Sequence, residues 1–285
     1  MSSLKSNHKL FLPSIIGETK ESIENILKDI DNLYRERTEI KIDSKTNKPK
    51  TYLDGTIKER IIRPPKTKLK LIQSKIKFRI LSKIELPHNI HGSVKKKSNI
   101  TNAKPHQGNK YVFVTDLKDF FPSIKSKKVH ALFIDLGYNK QFALYMTKLT
   151  TWKGEVPQGA PTSSYIANLF FLKTDYELIN LCDENNITYT RYVDDLTFSS
   201  PTDFQKIIPT LLSIIKNSGL KISYRKTDYK GNQNITGIDV LLHKIDAPKK
   251  IIEKTKLEID NHPSCKPYTN YRESILKTNR KKNLD

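Results

Sequence analysis

Two β-prone runs, Ile187–Val193 and Leu196–Ser200, flank the adjacent acids Asp194 and Asp195 in the stretch ITYTRYVDDLTFSS. β-Branched and aromatic residues favour pleated backbone, so two such runs around a short polar step predict a hairpin with a tight turn. Both carboxylates then stand at its tip. Crowded carboxylates raise each other's pKa, and a turn that keeps both ionised does so by holding a divalent cation. The plainer alternative is an Asp-Asp turn open to water.

A second acidic strand end lies upstream. Tyr111–Thr115, YVFVT, is a short apolar run that leads to Asp116, with Asp119-Phe120-Phe121-Pro122 following. Laid beside the hairpin, this strand would complete a site of three carboxylates. Such a site can hold two Mg2+ about 3.5–4 Å apart, one activating an attacking hydroxyl and one stabilising a leaving pyrophosphate. That is the chemistry of a polymerase palm.

These residues resemble the reverse transcriptases. Tyr192-Val193-Asp194-Asp195 is similar to their YxDD box, and Asp116 with Phe121 is similar to the first catalytic aspartate and the aromatic five positions after it. Val156–Ser163, VPQGAPTS, resembles the PQGxxxS segment between those motifs, with Ser164 where a second proline is common. Two further stretches resemble bacterial retron enzymes: Asn102-Ala103-Lys104-Pro105-His106 matches an NAxxH sequence, and Ile235-Thr236-Gly237 approximates VTG. The resemblance runs from about Thr38 to about Lys250.

Charge bears on the partner. Fifty-one Lys and Arg against thirty Asp and Glu give a formal charge of +21, spread along 285 residues. Solubility of a small domain needs a net charge of only about 2–8, so the excess points to a polyanion, with a membrane surface as the weaker alternative. Cys182 and Cys265 have no second thiol at ligand spacing, which argues against a disulfide framework or a zinc site and suggests reduced cytoplasm. No run reaches the roughly 18 apolar residues of a membrane span. Lys5, His8 and Lys9 precede only the short KLFLPSIIG, without an expected cleavage site.

In chain order, the periodicity predicts a helix over about Thr19–Arg37, strands at Thr38–Asp43 and Thr56–Arg63 joined through Ser44–Gly55, and a helix carrying Leu69, Ile72, Ile76, Ile80 and Ile84. His91–Lys110 lacks a period and reads as a basic surface loop. Helices are expected at Lys125–Leu136 and Asn139–Leu149 with Gly137 as the break, at Ser163–Asn185, and at Asp203–Asn217. Strands are expected at Leu220–Tyr224 and within Asn234–Leu242. The last 38 residues, from Pro248, read as helical, with Ile251, Ile252, Leu257, Ile259, Ile275 and Leu276 among lysines.

The resemblance implies an α+β right-hand polymerase fold. Its fingers would be 1–110 with 126–155, its palm, a split βαβ sheet, 111–125 and 156–247, and its small helical thumb 248–285. It implies RNA-directed DNA synthesis with two Mg2+ on Asp116, Asp194, Asp195 and the backbone carbonyl of Leu117. Arg60, in a block resembling the R-x-I…P…LKxIQ fingers sequence, would hold the incoming triphosphate, since a guanidinium stays charged and grips phosphate oxygens in two places. Phe121 would be a steric gate against a 2′-hydroxyl. Gln158 and Gly159 would meet the template or nucleotide, and Lys226 would protonate pyrophosphate, although Ser223 replaces the usual Asn nearby. Asn102, His106, Thr236 and Gly237 would contact RNA.

Implied partners are dNTPs, a cognate structured noncoding RNA serving as template and primer, its branched DNA product, and a separate effector protein in antiphage defence, with no membrane. Alternatives are a group II intron-like, diversity-generating or abortive-infection reverse transcriptase, and, from another class, a catalytically silent RNA-binding module.

Overall fold

A computed structural model describes residues 11–42, 48–52, 54–231, 234–261 and 266–279, with backbone alone over 259–261. The N-terminal segment with Lys5, His8 and Lys9, part of the Ser44–Gly55 connection, Ile259 as a side chain, and Cys265 lie outside the described residues.

In chain order the elements are α1 (Leu12–Ile16), α2 (Lys20–Lys28), β1 (Arg37–Ile40), β2 (Glu59–Ile62), α3 (Thr67–Arg79), α4 (Asn99–Ala103), β3 (Tyr111–Lys118) and α5 (Phe120–Ser123). There follow α6 (Ser126–Asp135), α7 (Lys140–Thr150), α8 (Ser163–Glu184), β4 (Thr188–Tyr192), β5 (Asp195–Ser200), α9 (Ile208–Asn217) and β6 (Lys221–Ile222). The chain closes with β7 (Asp228–Lys230), β8 (Asn234–Ile235), β9 (Ile238–Val240), β10 (Ile245–Asp246), α10 (Lys249–Asn261) and α11 (Pro267–Lys277). Helices together with antiparallel sheets give the α+β class expected. Two compact units result: Met1–Glu85 with Asp119–Phe170, and Leu86–Lys118 with Phe171–Asp285.

In the first unit, β1 and β2 form a two-stranded antiparallel sheet in which Glu39 faces Arg60. Its core gathers Leu12, Ile16, Ile23, Ile26, Leu69, Ile72, Ile76, Phe133, Phe142 and Met146. The helix expected over Thr19–Arg37 is shorter. Thr19 caps α2 by accepting from the Ser22 amide at 3.0 Å, but the chain turns extended at Tyr34. That break lets Tyr34 stack on Trp152 at 4.9 Å between centroids, while its hydroxyl accepts from buried Gln73 at 2.8 Å. Tertiary burial outweighs the small propensity of one further helical turn. The helix carrying Leu69 likewise stops at Arg79. Gly137, at φ 85°, breaks α6 from α7 as expected.

In the second unit the main sheet runs β4-β5-β3-β6, and β7 pairs with β3 on the edge opposite β5. A smaller sheet runs β10-β9-β8. Buried Ala103, Val112, Ile235, Ile238, Val240, Ile245, Ala247 and Ile275 form one core, which seats α11 against that sheet. The expected strand Leu220–Tyr224 is only β6, because Tyr224–Lys226 form a 3-10 turn.

The surface loop expected at His91–Lys110 is corrected. Ser98 and Thr101 form a reciprocal capping box that starts α4, and a 3-10 turn over Lys104–His106 continues it. Asn102, Ala103 and His106 are each fully buried. A polar sequence hid a buried element because the Asn102 amide nitrogen and both His106 ring nitrogens find partners inside the fold and not in water.

Candidate active site

Three carboxylates meet where β3 lies against β5. The register sets Asp116 directly opposite Asp195, and Leu117 donates its amide to the Asp194 carbonyl at 3.0 Å. One oxygen from each of Asp116, Asp194 and Asp195 lies within 4.8 Å of the others. Lys226 reaches the same point from the 3-10 turn, its ammonium donating to Asp116 Oδ2. The peptide of Asp116 is held as well, its carbonyl accepting from the Ser223 amide at 2.8 Å.

The electrostatics follow from one lysine facing three acids. Burial, then the charges of Asp194 and Asp116, push the Asp195 carboxyl up to about 7 against the pull of Lys226. Burial works against the Lys226 charge, yet the bond to Asp116 and the three acids together hold its ammonium above the usual range. A cluster of oxygen donors with surplus negative charge fits a divalent cation, whose field would let Asp195 ionise.

The turn between the hairpin strands is strained. Val193 sits at φ 60°, a left-handed conformation that costs a β-branched residue about 1–3 kcal/mol and persists only where its surroundings impose it. Arg191 imposes it from one side: fully buried, it donates Nη1 to the Val193 carbonyl at 2.9 Å. Its remaining nitrogens engage Asp175 of α8 through Nε–Oδ1 at 2.8 Å and Nη2–Oδ2 at 2.6 Å. Tyr189 donates to the same carboxylate at 2.7 Å. On the other side Gly92 lies so close that a Cβ there would fall 2.3 Å from the Val193 nitrogen. Its segment runs beside β4, with His91 donating to the Arg191 carbonyl at 2.8 Å and Arg191 to that of Asn89 at 2.9 Å.

Sequence reasoning passed over Arg191, Asp175 and Gly92. The available signal was an arginine on the same strand face as Tyr189, where strand alternation demands burial and hence a partner.

The remaining expected residues divide between the units. In the first, Arg60 gives Nε and Nη2 to Glu39 Oε2 at 3.0 and 2.7 Å on an exposed face. The Gln158 carbonyl accepts from the Arg63 amide at 2.7 Å. Gly159 takes φ +101°, and a Cβ there would meet Ile62 Cγ2 at 2.9 Å, so the loop needs glycine to lie against β2. Phe120 is buried and Phe121 half-buried, their rings tilted at 5.8 Å.

In the second unit, Thr236 and Gly237 form the β8–β9 turn at φ 47° and 83°. Asn102 and His106, expected to meet RNA from a loop, are 0% exposed, and both ring nitrogens of His106 are engaged inside the fold. This corrects the expectation of direct contact from the surface. Among the described residues, no helix is long and apolar enough to cross a membrane.

The family model described as reverse transcriptase (RNA-dependent DNA polymerase) matches residues 45–240. Retron Ec86 reverse transcriptase of Escherichia coli is 34% identical over 212 residues, covering 72% of this chain and 66% of that protein. Retron Se72 reverse transcriptase of Salmonella heidelberg is 32% identical over 239 residues, covering 80% and 60%. Retron Mx65 reverse transcriptase of Myxococcus xanthus is 33% identical over 204 residues, covering 64% and 48%. These relatives bear out the retron resemblance read from the motifs. The chain spans about half to two thirds of the length of these relatives.

Proposed function

This chain belongs to the reverse transcriptase family, and from that premise we propose that it is an RNA-directed DNA polymerase of the retron type. The observation that carries the reading is the convergence of Asp116, Asp194 and Asp195 on one point. In this reading the three carboxylates and the Leu117 carbonyl would hold two Mg2+. Bound there, the ions would activate a primer hydroxyl and offset charge on the leaving pyrophosphate.

The chain's own residues supply the rest. Lys226, kept protonated by the acids beside it, is the proton donor for pyrophosphate. Arg60 exchanges Glu39 for the triphosphate of a dNTP, as a water-exposed ion pair can do at little cost. Phe121 closes the space a 2′-hydroxyl would need, and Gln158 with Gly159 bring backbone close to the nucleotide. Thr236 and Gly237 meet RNA at their turn, and Asn102 and His106 support that turn and the hairpin from within.

Fingers at 1–110 and 126–155, palm at 111–125 and 156–247, and thumb at 248–285 remain the proposed division. The proposal extends to a cognate structured noncoding RNA as template and primer and a branched RNA-linked DNA as product, as the retron resemblance implies. A separate effector protein, a part in antiphage defence and a cytoplasmic location complete the proposal.

Primer extension on an RNA template tests it. Parent protein should extend in the presence of Mg2+, and Asp195→Asn should lose about 10^2- to 10^3-fold in rate, as loss of a central electrostatic group does. Unimpaired extension by that variant would sink the assignment. Sequencing nucleic acid copurified with the chain tests the branch: one RNA joined to one short DNA is expected, and a mixed pool argues for another reverse transcriptase.

A further inference from the structure

We propose that His106 is a positioning residue that holds the catalytic hairpin at its working width, and that α4 ties it to the Thr236–Gly237 turn; the claim rests on the polymerase reading above. The imidazole is fully buried and spans the hairpin, with Nδ1 at 2.6 Å from Ser199 Oγ on β5 and Nε2 at 2.7 Å from Thr190 Oγ1 on β4. Thr190 precedes Asp194 by four residues and Ser199 follows Asp195 by four. The register pairs Tyr192 with Asp195, Thr190 with Thr197 and Thr188 with Ser199. Strand alternation therefore puts Thr190, Ser199 and Asp195 on one face of the sheet. The ring grips that face below the acid.

Hydrogen-bond donors and acceptors assign the tautomer. Thr190 donates its one hydroxyl proton to the Asn102 carbonyl at 3.3 Å, so towards His106 it accepts, and Nε2 carries the hydrogen. Nδ1 is then bare and accepts the Ser199 hydroxyl. Ser199 in turn accepts from Asn109 Nδ2 at 2.7 Å. The chain Asn109, Ser199, His106, Thr190, Asn102 is thus a directed relay in which every proton has a destination, and such chains stiffen cooperatively.

The same helix reaches the other way. Asn102 Nδ2 donates to Thr236 Oγ1 at 3.3 Å, and Asn99 Nδ2 donates to the Thr236 carbonyl at 3.1 Å and to Tyr271 of α11 at 2.7 Å. One short strut therefore joins the turn proposed to meet RNA to the hairpin that carries Asp194 and Asp195.

Parent, His106→Leu and His106→Gln distinguish this role from others. Leucine fills the site without hydrogen bonds, whereas glutamine offers one donor and one acceptor like the neutral ring. The readouts are Mn2+ binding by electron paramagnetic resonance, primer–template binding, and primer extension resolved into kcat and KM. His106→Leu should weaken Mn2+ binding and lower kcat by about tenfold or more each, with KM for dNTP and primer–template affinity within about twofold. His106→Gln should recover most of both losses.

Parent-like Mn2+ affinity and kcat in His106→Leu would overturn the proposal, as would a collapse of primer–template binding with kcat intact, which marks a direct RNA contact. If His106→Leu does not fold, Thr190→Val and Ser199→Ala each remove one arm of the clamp, and parent-like Mn2+ affinity in both overturns it equally. A parent that binds Mn2+ but extends no primer defeats the polymerase reading, and the Mn2+ comparison still decides the role of His106.

Discussion

Two antiparallel strand pairs in this chain each place an arginine against a carboxylate, and the surroundings of the two ion pairs are opposite. On β1–β2, Arg60 and Glu39 have side chains 49% and 31% exposed, and Ile40, Ile57 and Ile61 stand in solvent around them. At β4–β5, Arg191 pairs with Asp175 of α8, and both side chains are 0% exposed. The first pair competes with water and can trade partners. The second is sealed from water, and its arginine pins the Val193 turn. One chemistry thus serves a surface pair open to exchange with water and a buried pair that fixes a turn in place.

The contrast breaks most sharply at Asp175. Asp175→Ala leaves Arg191 buried and uncompensated, which should cost about 3–5 kcal/mol of stability in urea unfolding. A loss within about 1 kcal/mol, the range of exposed pairs, would mean the two hairpins do not differ as described.

A smaller effect concerns pH. Burial, with the nearby His91 charge adding, pushes His106 down from 6.5 to about 3, so the fold keeps the ring neutral where the unfolded chain takes up a proton. Stability is therefore lost as pH falls from about 6.5 towards 3, by up to about 1.4 kcal/mol per pH unit for this one proton. His91, pushed down to about 4 by burial and by Lys97 and His88, acts in the same direction. The parent minus His106→Gln difference in melting, followed from pH 7 to pH 4, isolates the share of His106. A pH-independent difference would show that the ring is not held neutral.

The smallest change is expected at Glu39. Glu39→Ala should move unfolding stability by less than about 1 kcal/mol, while easing the exchange of Arg60 onto a triphosphate and so lowering KM for dNTP. A large destabilisation would give the exposed hairpin the same structural dependence on its ion pair as the buried one.

The site was legible where chemistry is local. Asp194 and Asp195 had to sit at a tight turn because β-prone runs flank them, and the order of Asp116, Val156–Ser163 and Tyr192–Asp195 carried the family resemblance. The basic balance pointed to a polyanion for the same reason: charge is a property of composition. Element types were readable where periodicity is strong, as for α6, α7 and α8, and failed at His91–Lys110, where polarity imitated a loop.

The amino-acid sequence by itself determined the acidic hairpin, the apolar stripes and the membership of the family, since these depend on residue type and short spacing. Only the tertiary structure decided that Asp116 lies opposite Asp195, that Arg191 finds Asp175, that Gly92 makes room for the Val193 turn, and that His106 spans β4 and β5. Each of those is a contact between segments distant along the chain. Their stability comes from burial and matched hydrogen bonds, which no local propensity encodes.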